Sequence, residues 1–283
     1  MSKALKSGTR SLAFAFLLLV AWQVVAEIIE PYHALWLRAR LRPGSPPLEA
    51  PSVSGTLVRL YPDARPHVGK IARLQKGLVW VAEGRELVQE GYGFGCPIVI
   101  VGGQAYNSRT AQIRLQAIPG GHRLTKHFVM DTIDTPIRLL YPKYRAVSPI
   151  GVVTVHYNVY PEGHIAIQVD LSALTVPWEE VFLMSEQGAD HFVRLVTADG
   201  ASRSTDELGI WEVFPTATAC FESADGRRRF CVQPTDDATV HVGRERYLQY
   251  NWRGIFYLNW SGVDLSIAAP RASYRYQIVL EAQ

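Results

Sequence analysis

The chain has 283 residues, 48% of them hydrophobic and 19% charged, a composition that excludes a disordered or fibrous protein. A formal charge of only +3, with no basic stripe interleaved with aromatic residues, excludes a nucleic-acid partner. Tyr, Trp and Phe supply 11% of the residues, which favours strands over helices.

Lys3, Lys6 and Arg10 precede an apolar run over residues 12–26 that only Gln23 interrupts. Charged flank followed by apolar core is the order of an export signal, so the protein is expected outside the cytoplasm. Two fates fit. Val24-Val25-Ala26 suits a signal peptidase, and cleavage near Ala26 would release a secreted protein. Alternatively the run continues through Ile28 and Ile29, and residues 12–29 cross the membrane as an apolar helix of the minimum length, about 18 residues. Residues 31–42 read as a short helix. Pro43, Pro46, Pro47 and Pro51 then make an extended spacer, which a membrane anchor would use and a free domain would not. The organisation expected is a signal peptide or transmembrane anchor at 1–30, a short helix and Pro-rich linker at 31–51, and one domain at 52–283.

Within the domain, residues 77–82 and 98–101 are apolar runs bounded by glycine or proline, and both read as strands. Gly91, Gly93 and Gly95 lack the spacing of a phosphate loop and mark a loop or a strand with close backbone approach. Cys96 sits in an apolar run and reads as a buried thiol. The clearest element spans 152–171. With a three-residue turn at Pro161-Glu162-Gly163, Tyr160 pairs with His164, and Val159, Tyr157 and Val155 fall opposite Ile165, Ile167 and Val169 on one apolar face. The other face carries His156, Asn158, Tyr160, His164, Gln168 and Asp170. After Pro177, residues 178–186 read as a turn or two of helix.

Asp225-Gly226 is a two-residue turn signal of type I′, and centring a hairpin on it sets Cys220 opposite Cys231. That register makes them a hydrogen-bonded pair, the wider kind, so a disulfide there needs local adjustment. Residues 255–258 and 263–267 read as strands joined through Asn259-Trp260-Ser261-Gly262, which also matches a glycosylation sequon. Tyr274, Tyr276, Ile278 and Leu280 alternate with polar residues in a closing strand. Many short strands and few helices imply an all-β, antiparallel β-sandwich.

Chemistry-bearing motifs are scarce. The eight histidines form no tight ligand pair, with no HExxH or CxxC, so neither a metal site nor a cofactor is expected. No G-x-S-x-G occurs. Asp131 with Asp134, Glu179 with Glu180, and Asp236 with Asp237 are adjacent carboxylates, which read as solvated loops or strand edges. The hydrogen-bonding and aromatic groups of the hairpin face, from His156 to Asp170, are the candidate ligand-binding set. Trp178, Trp211, Trp252 and Trp260 are candidate stacking surfaces.

Residues 152–171, around Tyr160-Pro161-Glu162-Gly163-His164, resemble the long hairpins of galactose mutarotase-like supersandwich domains. The segment Tyr274-Arg275-Tyr276-Gln277-Ile278-Val279-Leu280 is similar to their closing strand. The resemblance implies a large sandwich with a concave, sugar-facing sheet. Such domains occur in sugar epimerases and polysaccharide lyases and beside large glycosidases. No catalytic residue carries over, because the His acid and Glu base of an active mutarotase match no position by sequence. The expected role is therefore non-catalytic binding of a glycan or another membrane protein. The alternatives are a carbohydrate-active enzyme of lyase, hydrolase or epimerase type and a structural subunit of a membrane complex.

Overall fold

The computed structural model describes residues 45–66, 73–89, 91–134, 144–197, 200–215, 218–235, 237–251 and 254–283. The expected N-terminal apolar helix, the membrane span at 12–29, the short helix at 31–42 and Trp252 lie outside them. Among the described residues no helix is long and apolar enough to cross a membrane.

The described chain is built from antiparallel strands, with a single turn of 3-10 helix at Thr205–Glu207. In chain order they are β1 (Leu48–Pro51), β2 (Leu57–Leu60), β3 (Arg65–Pro66), β4 (Arg73–Leu74), β5 (Val79–Ala82), β6 (Arg85–Glu86) and β7 (Gly93–Val101). There follow β8 (Gln104–Ile118), β9 (Gly121–Asp134), β10 (Tyr144–Ala146), β11 (Val152–Val159), β12 (His164–Asp170), β13 (Glu180–Gly188) and β14 (Arg194–Val196). The last seven are β15 (Ser202–Ser204), β16 (Glu212–Val213), β17 (Ala219–Glu222), β18 (Arg228–Pro234), β19 (Thr239–Asn251), β20 (Gly254–Ala268) and β21 (Ser273–Ala282). One sheet takes fifteen of them along the path β15-β14-β17-β18-β21-β12-β11-β9-β8-β7-β13-β20-β19-β16, with β10 beside β9. A small sheet, β1-β2-β5-β6, accompanies it.

The long sheet folds back on itself, sandwich-like, over one core. Val153, Val155, Tyr157, Ile165, Ile167 and Val169 point inward from β11 and β12, and Val181, Leu183, Val263 and Leu265 from β13 and β20; all are buried. The two halves touch directly. The Tyr157 hydroxyl of β11 donates to the Gly95 carbonyl of β7 (3.1 Å), and Phe230 of β18 meets Phe94 of β7 edge-on at 5.4 Å. Gly95 sits at φ +72, and a Cβ there would lie 2.9 Å from the Tyr157 ring, so the glycine is what lets the halves close. β15 and β16, at opposite ends of the sheet path, are neighbours in the chain, and Arg203 grips both carboxylate oxygens of Glu212 between them (2.8 and 3.2 Å).

The hairpin register is as the sequence pattern requires. Val159 pairs with Ile165, Tyr157 with Ile167 and Val155 with Val169, and the Tyr160 N–H donates to the His164 carbonyl (2.9 Å). The closing strand β21 alternates as expected, with Tyr274, Tyr276, Ile278 and Leu280 buried.

Four elements depart from expectation. The final residues of the expected spacer, Leu48–Pro51, form β1; Pro51 is tolerated because β1 is an edge strand with no further ladder to donate to. Residues 178–186 are not helical: Glu180–Gly188 is a strand whose Val181 and Leu183 face the core while Met184 is buried on the other side. Apolar residues on both faces erase the alternation that marks a strand. Asn259 to Gly262 is no turn but the middle of β20, held on both sides by β13 and β19. Asn259 is 1% exposed and donates through Nδ2 to Gln89 and Asp190, so the sequon is closed to a glycan.

The fourth departure is the cysteine hairpin. Only Gly226 has positive φ, and the loop closes one residue earlier on each strand, with the Ser223 N–H donating to the Arg228 carbonyl (2.9 Å). The Asp225 carboxylate organises this wider turn by accepting from the Ser223 hydroxyl and the Arg227 N–H. Moving the closing pair from 224/227 to 223/228 flips the ladder's alternation. Cys220 and Cys231 become a non-hydrogen-bonded pair, the narrow kind, with Cα atoms 4.0 Å apart, and they form a disulfide. Cys96 is a buried free thiol, as expected. Reducing the bridge should lower the unfolding free energy by about 2–3 kcal/mol, measured as the urea midpoint with and without dithiothreitol.

Candidate functional site

The six hairpin residues share one half-buried outer face, as predicted, but they are tied to partners on the sheet itself. Asn158 Oδ1 accepts from Arg123 Nε (2.7 Å), His156 Nδ1 pairs with the Thr125 hydroxyl (2.9 Å), and His164 Nε2 with Gln277 (3.0 Å). Asp170 turns away to accept from the Ser172 N–H and hydroxyl, which hold its carboxyl below the usual carboxylate range. Tyr160 stacks on His164 at 5.8 Å. Burial, then Arg123 and His127, lower the pKa of His156.

Of the sequence-adjacent carboxylates, Glu179 and Glu180 take separate partners, the Glu180 carboxylate accepting from the Ser266 hydroxyl, and the Asp134 side chain lies outside what is described. Asp131 accepts from the Arg109 N–H and the Thr110 hydroxyl, Glu179 accepts from the Gly103 N–H, and Asp236 lies outside the described residues. The buried carboxylate pair is made instead by Glu186 and Asp264, each 1% exposed, on neighbouring strands β13 and β20.

Their placement follows from the register. Asp264 stands between Met184 on β13 and His241 on β19, and Glu186 lies one row along, opposite Gly262. Directly paired residues share a face, so Asp264, His241 and Glu186 all point outward from this half of the sheet. As diagonal neighbours the two acids lie about 7–8 Å apart. Beside Glu186 the row continues through Gly262 and Gly243, which carry no side chain. The gap admits a backbone: a Cβ on Gly243 would sit 1.9 Å from the Ile210 carbonyl oxygen. The loop before β16 thus lies flat on the sheet, tied by the Arg244 N–H to the Gly209 carbonyl (3.0 Å). It lays Trp211 over the acids.

The Trp211 indole N–H donates to Asp264 Oδ2 (2.7 Å), and the ring stacks on Phe182 at 5.7 Å and 7°. Trp211 is still 51% exposed, and His241 tilts toward Phe182 at 6.2 Å. Asp264 Oδ1 accepts from the Ser185 N–H (3.2 Å) at the bulge where β13 breaks register with β7, and Glu186 Oε2 accepts from the Tyr92 N–H (2.9 Å). Burial raises the Asp264 carboxyl to about 7 against the pull of its two donors. Burial and the Asp264 charge push Glu186 well above the usual range. Burial lowers the His241 pKa, with Glu180 opposing. A carboxyl that titrates near neutrality, a His directly across from it and an aromatic platform can together move a proton at a polar ligand.

Sequence reading missed Glu186, Asp264 and His241. The available signal was an acid inside each of two strongly apolar strands, VFLMSEQG and VDLSIA. Of the candidate stacking residues, Trp211 lies at this site, Trp260 is buried, and Trp178 is half-buried elsewhere. Among the described residues no group of three or more His, Cys, Asp and Glu could hold a metal ion.

No protein family and no curated protein matches the chain by sequence. Among solved structures it is similar to an α-N-acetylgalactosaminidase from Bifidobacterium bifidum in complex with GalNAc (TM-score 0.49, 10% identity, 83% of this chain and 36% of that one). It is also similar to a 4-α-glucanotransferase from Thermococcus litoralis (0.45, 12%, 86% and 40%) and to a GalM/aldose epimerase homologue from C. elegans (0.42, 11%, 84% and 99%). The chain thus spans well under half the length of the first two. The weak likeness to galactose mutarotase-like domains, expected from the hairpin and closing strand, recurs among these neighbours.

Proposed function

We propose that this chain is a carbohydrate-active protein of the epimerase or hydrolase type, working outside the cytoplasm through acid–base chemistry at Glu186 and Asp264. The observation that carries the reading is the Asp264 carboxyl, raised to about 7 and hydrogen-bonded to a half-exposed indole directly across from His241. A sugar ring can stack on the open face of Trp211, which Phe182 backs from the other side, as saccharides do on flat aromatic faces. Displacing the indole N–H would let a sugar hydroxyl donate to Asp264 Oδ2 in its place. Asp264 then takes or gives the proton, His241 exchanges it with solvent, and the raised carboxyl of Glu186 keeps a second proton in reserve. The Cys220–Cys231 disulfide supports an oxidising compartment, in line with the charged and apolar order of the N-terminal residues.

The test is to follow anomer interconversion and reducing-end release by NMR over a panel of mono- and oligosaccharides. Wild type is expected to turn over at least one of them. Asp264→Asn and Trp211→Ala should each lose activity at least 100-fold with the fold intact by circular dichroism. An inactive wild type, or an Asp264→Asn variant at full rate, would sink the reading. The hairpin face favours a second reading, non-catalytic glycan binding, because its polar groups are aligned, solvent-facing and free of buried acids.

A further inference from the structure

The outer face of β8, β9, β11, β12 and β21 lies on the opposite side of the sandwich from Trp211 and carries an uncompensated positive charge. Register sets Arg114, Thr125, His156, Gln168 and Arg275 in one row across the five strands, with Arg123 and Asn158 in the next. Four inter-strand steps put Arg114 and Arg275 about 19 Å apart. Elsewhere Arg59, Arg194, Arg203, Arg228 and Arg229 each have a carboxylate partner. Among the described residues Arg114, Arg123 and Arg275 have none, as is also true of scattered surface arginines such as Arg85 and Arg227; what sets the three apart is that register gathers them on one face. Arg123 spends only its Nε on Asn158, leaving the forked end of its guanidinium free. Neither row holds a carboxylate; Asp170, in the row beside them opposite Thr154, is turned to Ser172.

We infer that this face binds a polyanionic glycan, a polymer bearing uronate or sulfate groups. Arginine forks match carboxylate and sulfate oxygens two at a time. Gln168 offers the paired donor and acceptor that sugar hydroxyls use, and Asn158 and Gln277, whose amide oxygens are engaged by Arg123 and His164, add their amide N–H donors. Spread over five strands, the three arginines can hold acidic groups several sugar units apart along one polymer chain. Single-stranded nucleic acid fits less well, since among the described residues Tyr160 is the only Tyr, Trp or Phe on the face and stacks on His164 already. A flat sheet also does not enter a duplex groove. The surface is separate from the Glu186–Asp264 site and stands or falls independently of it.

The experiment is calorimetric titration of the full chain with polygalacturonate and dextran sulfate, with neutral dextran and a single-stranded oligonucleotide as controls, at 50 and 200 mM NaCl. Binding of at least one polyanionic glycan, weakened by salt, is expected, with none to neutral dextran. The triple variant Arg114→Gln, Arg123→Gln, Arg275→Gln should weaken it at least 100-fold with an unchanged melting temperature. The single exposed change Arg275→Glu, which cannot disturb the core, should weaken it at least fivefold. Asp264→Asn should leave it unaltered, which separates this surface from the acid pair. Failure to bind either glycan, equal binding by both arginine variants, or tighter binding of the oligonucleotide would overturn the inference.

Discussion

Asp264→Asn should gain stability relative to the wild type as the pH rises from 4 to 8, by on the order of 1 kcal/mol per pH unit at the steepest point. The folded protein holds the Asp264 proton up to about pH 7, whereas the unfolded chain releases it near 4. Between those values the native state binds more protons than the unfolded one, so its stability falls as pH rises. Glu186, raised by the same burial, pulls the same way. An asparagine keeps the shape but offers one acceptor to the two donors, the Trp211 indole and the Ser185 N–H, a cost that does not vary with pH, and it has no proton to lose. Lys126 gives the opposite limb. It is fully buried on the core side of β9, where its ammonium donates to the Tyr61 and Lys76 carbonyls (2.9 and 2.7 Å), and burial lowers its pKa to about 7. The unfolded chain keeps that proton to about 10.5, so native stability rises between pH 7 and 10. Lys126→Met should therefore lose its pH-dependent advantage across that range. Comparing each variant with wild type by urea titration at four pH values cancels the smaller histidine contributions. A flat difference profile for both would show that neither group is desolvated as described.

Phe230→Ala should cost about 3–5 kcal/mol, read as a shift of the urea midpoint at constant slope. Phe230 is fully buried and joins three elements: Phe221 stacks on it at 5.5 Å, and Phe192 and Phe94 meet it edge-on at 4.8 and 5.4 Å. Those partners come from β17, the segment after β13, and β7, so truncation opens a cavity where the two halves of the sheet meet. Phe221 is held by the disulfide between β17 and β18, and rigid rings fixed on three separate elements collapse poorly into such a space. A loss below 1.5 kcal/mol would mean the halves pack less tightly than these contacts indicate.

What could be read from the sequence was whatever is local. The hairpin from Val152 to Asp170 declares itself because one face is core and the other is wet, so period two survives and the turn fixes the register. The cysteine pair was legible in position but not in spacing, because the Asp225 side chain chose a wider turn than Asp-Gly alone implies. β13 was illegible because it is covered on both faces. The acid pair was illegible for a related reason: Glu186 and Asp264 meet only through strand order, and Trp211 reaches them through a loop seated on Gly243. Nothing nearby in the chain announces either contact.

The Arg203–Glu212 grip has a bearing on how this protein behaves among copies of itself. The long sheet would otherwise expose a row of unpaired amides and carbonyls at each end, the usual template for strand addition by another chain. Here both ends belong to one short stretch of chain, β15 has three residues and β16 has two, and a charged pair stands between them. A recruiting strand would find almost no ladder to extend at either of these ends; an edge that remains is the flank of β8 over residues 109–118, which β7 leaves uncovered. Where the sheet path ends, copies of the domain can therefore be crowded together without strand addition, and any such pairing falls to open flanks such as that of β8, where Arg109 and Arg114 set charge along the edge.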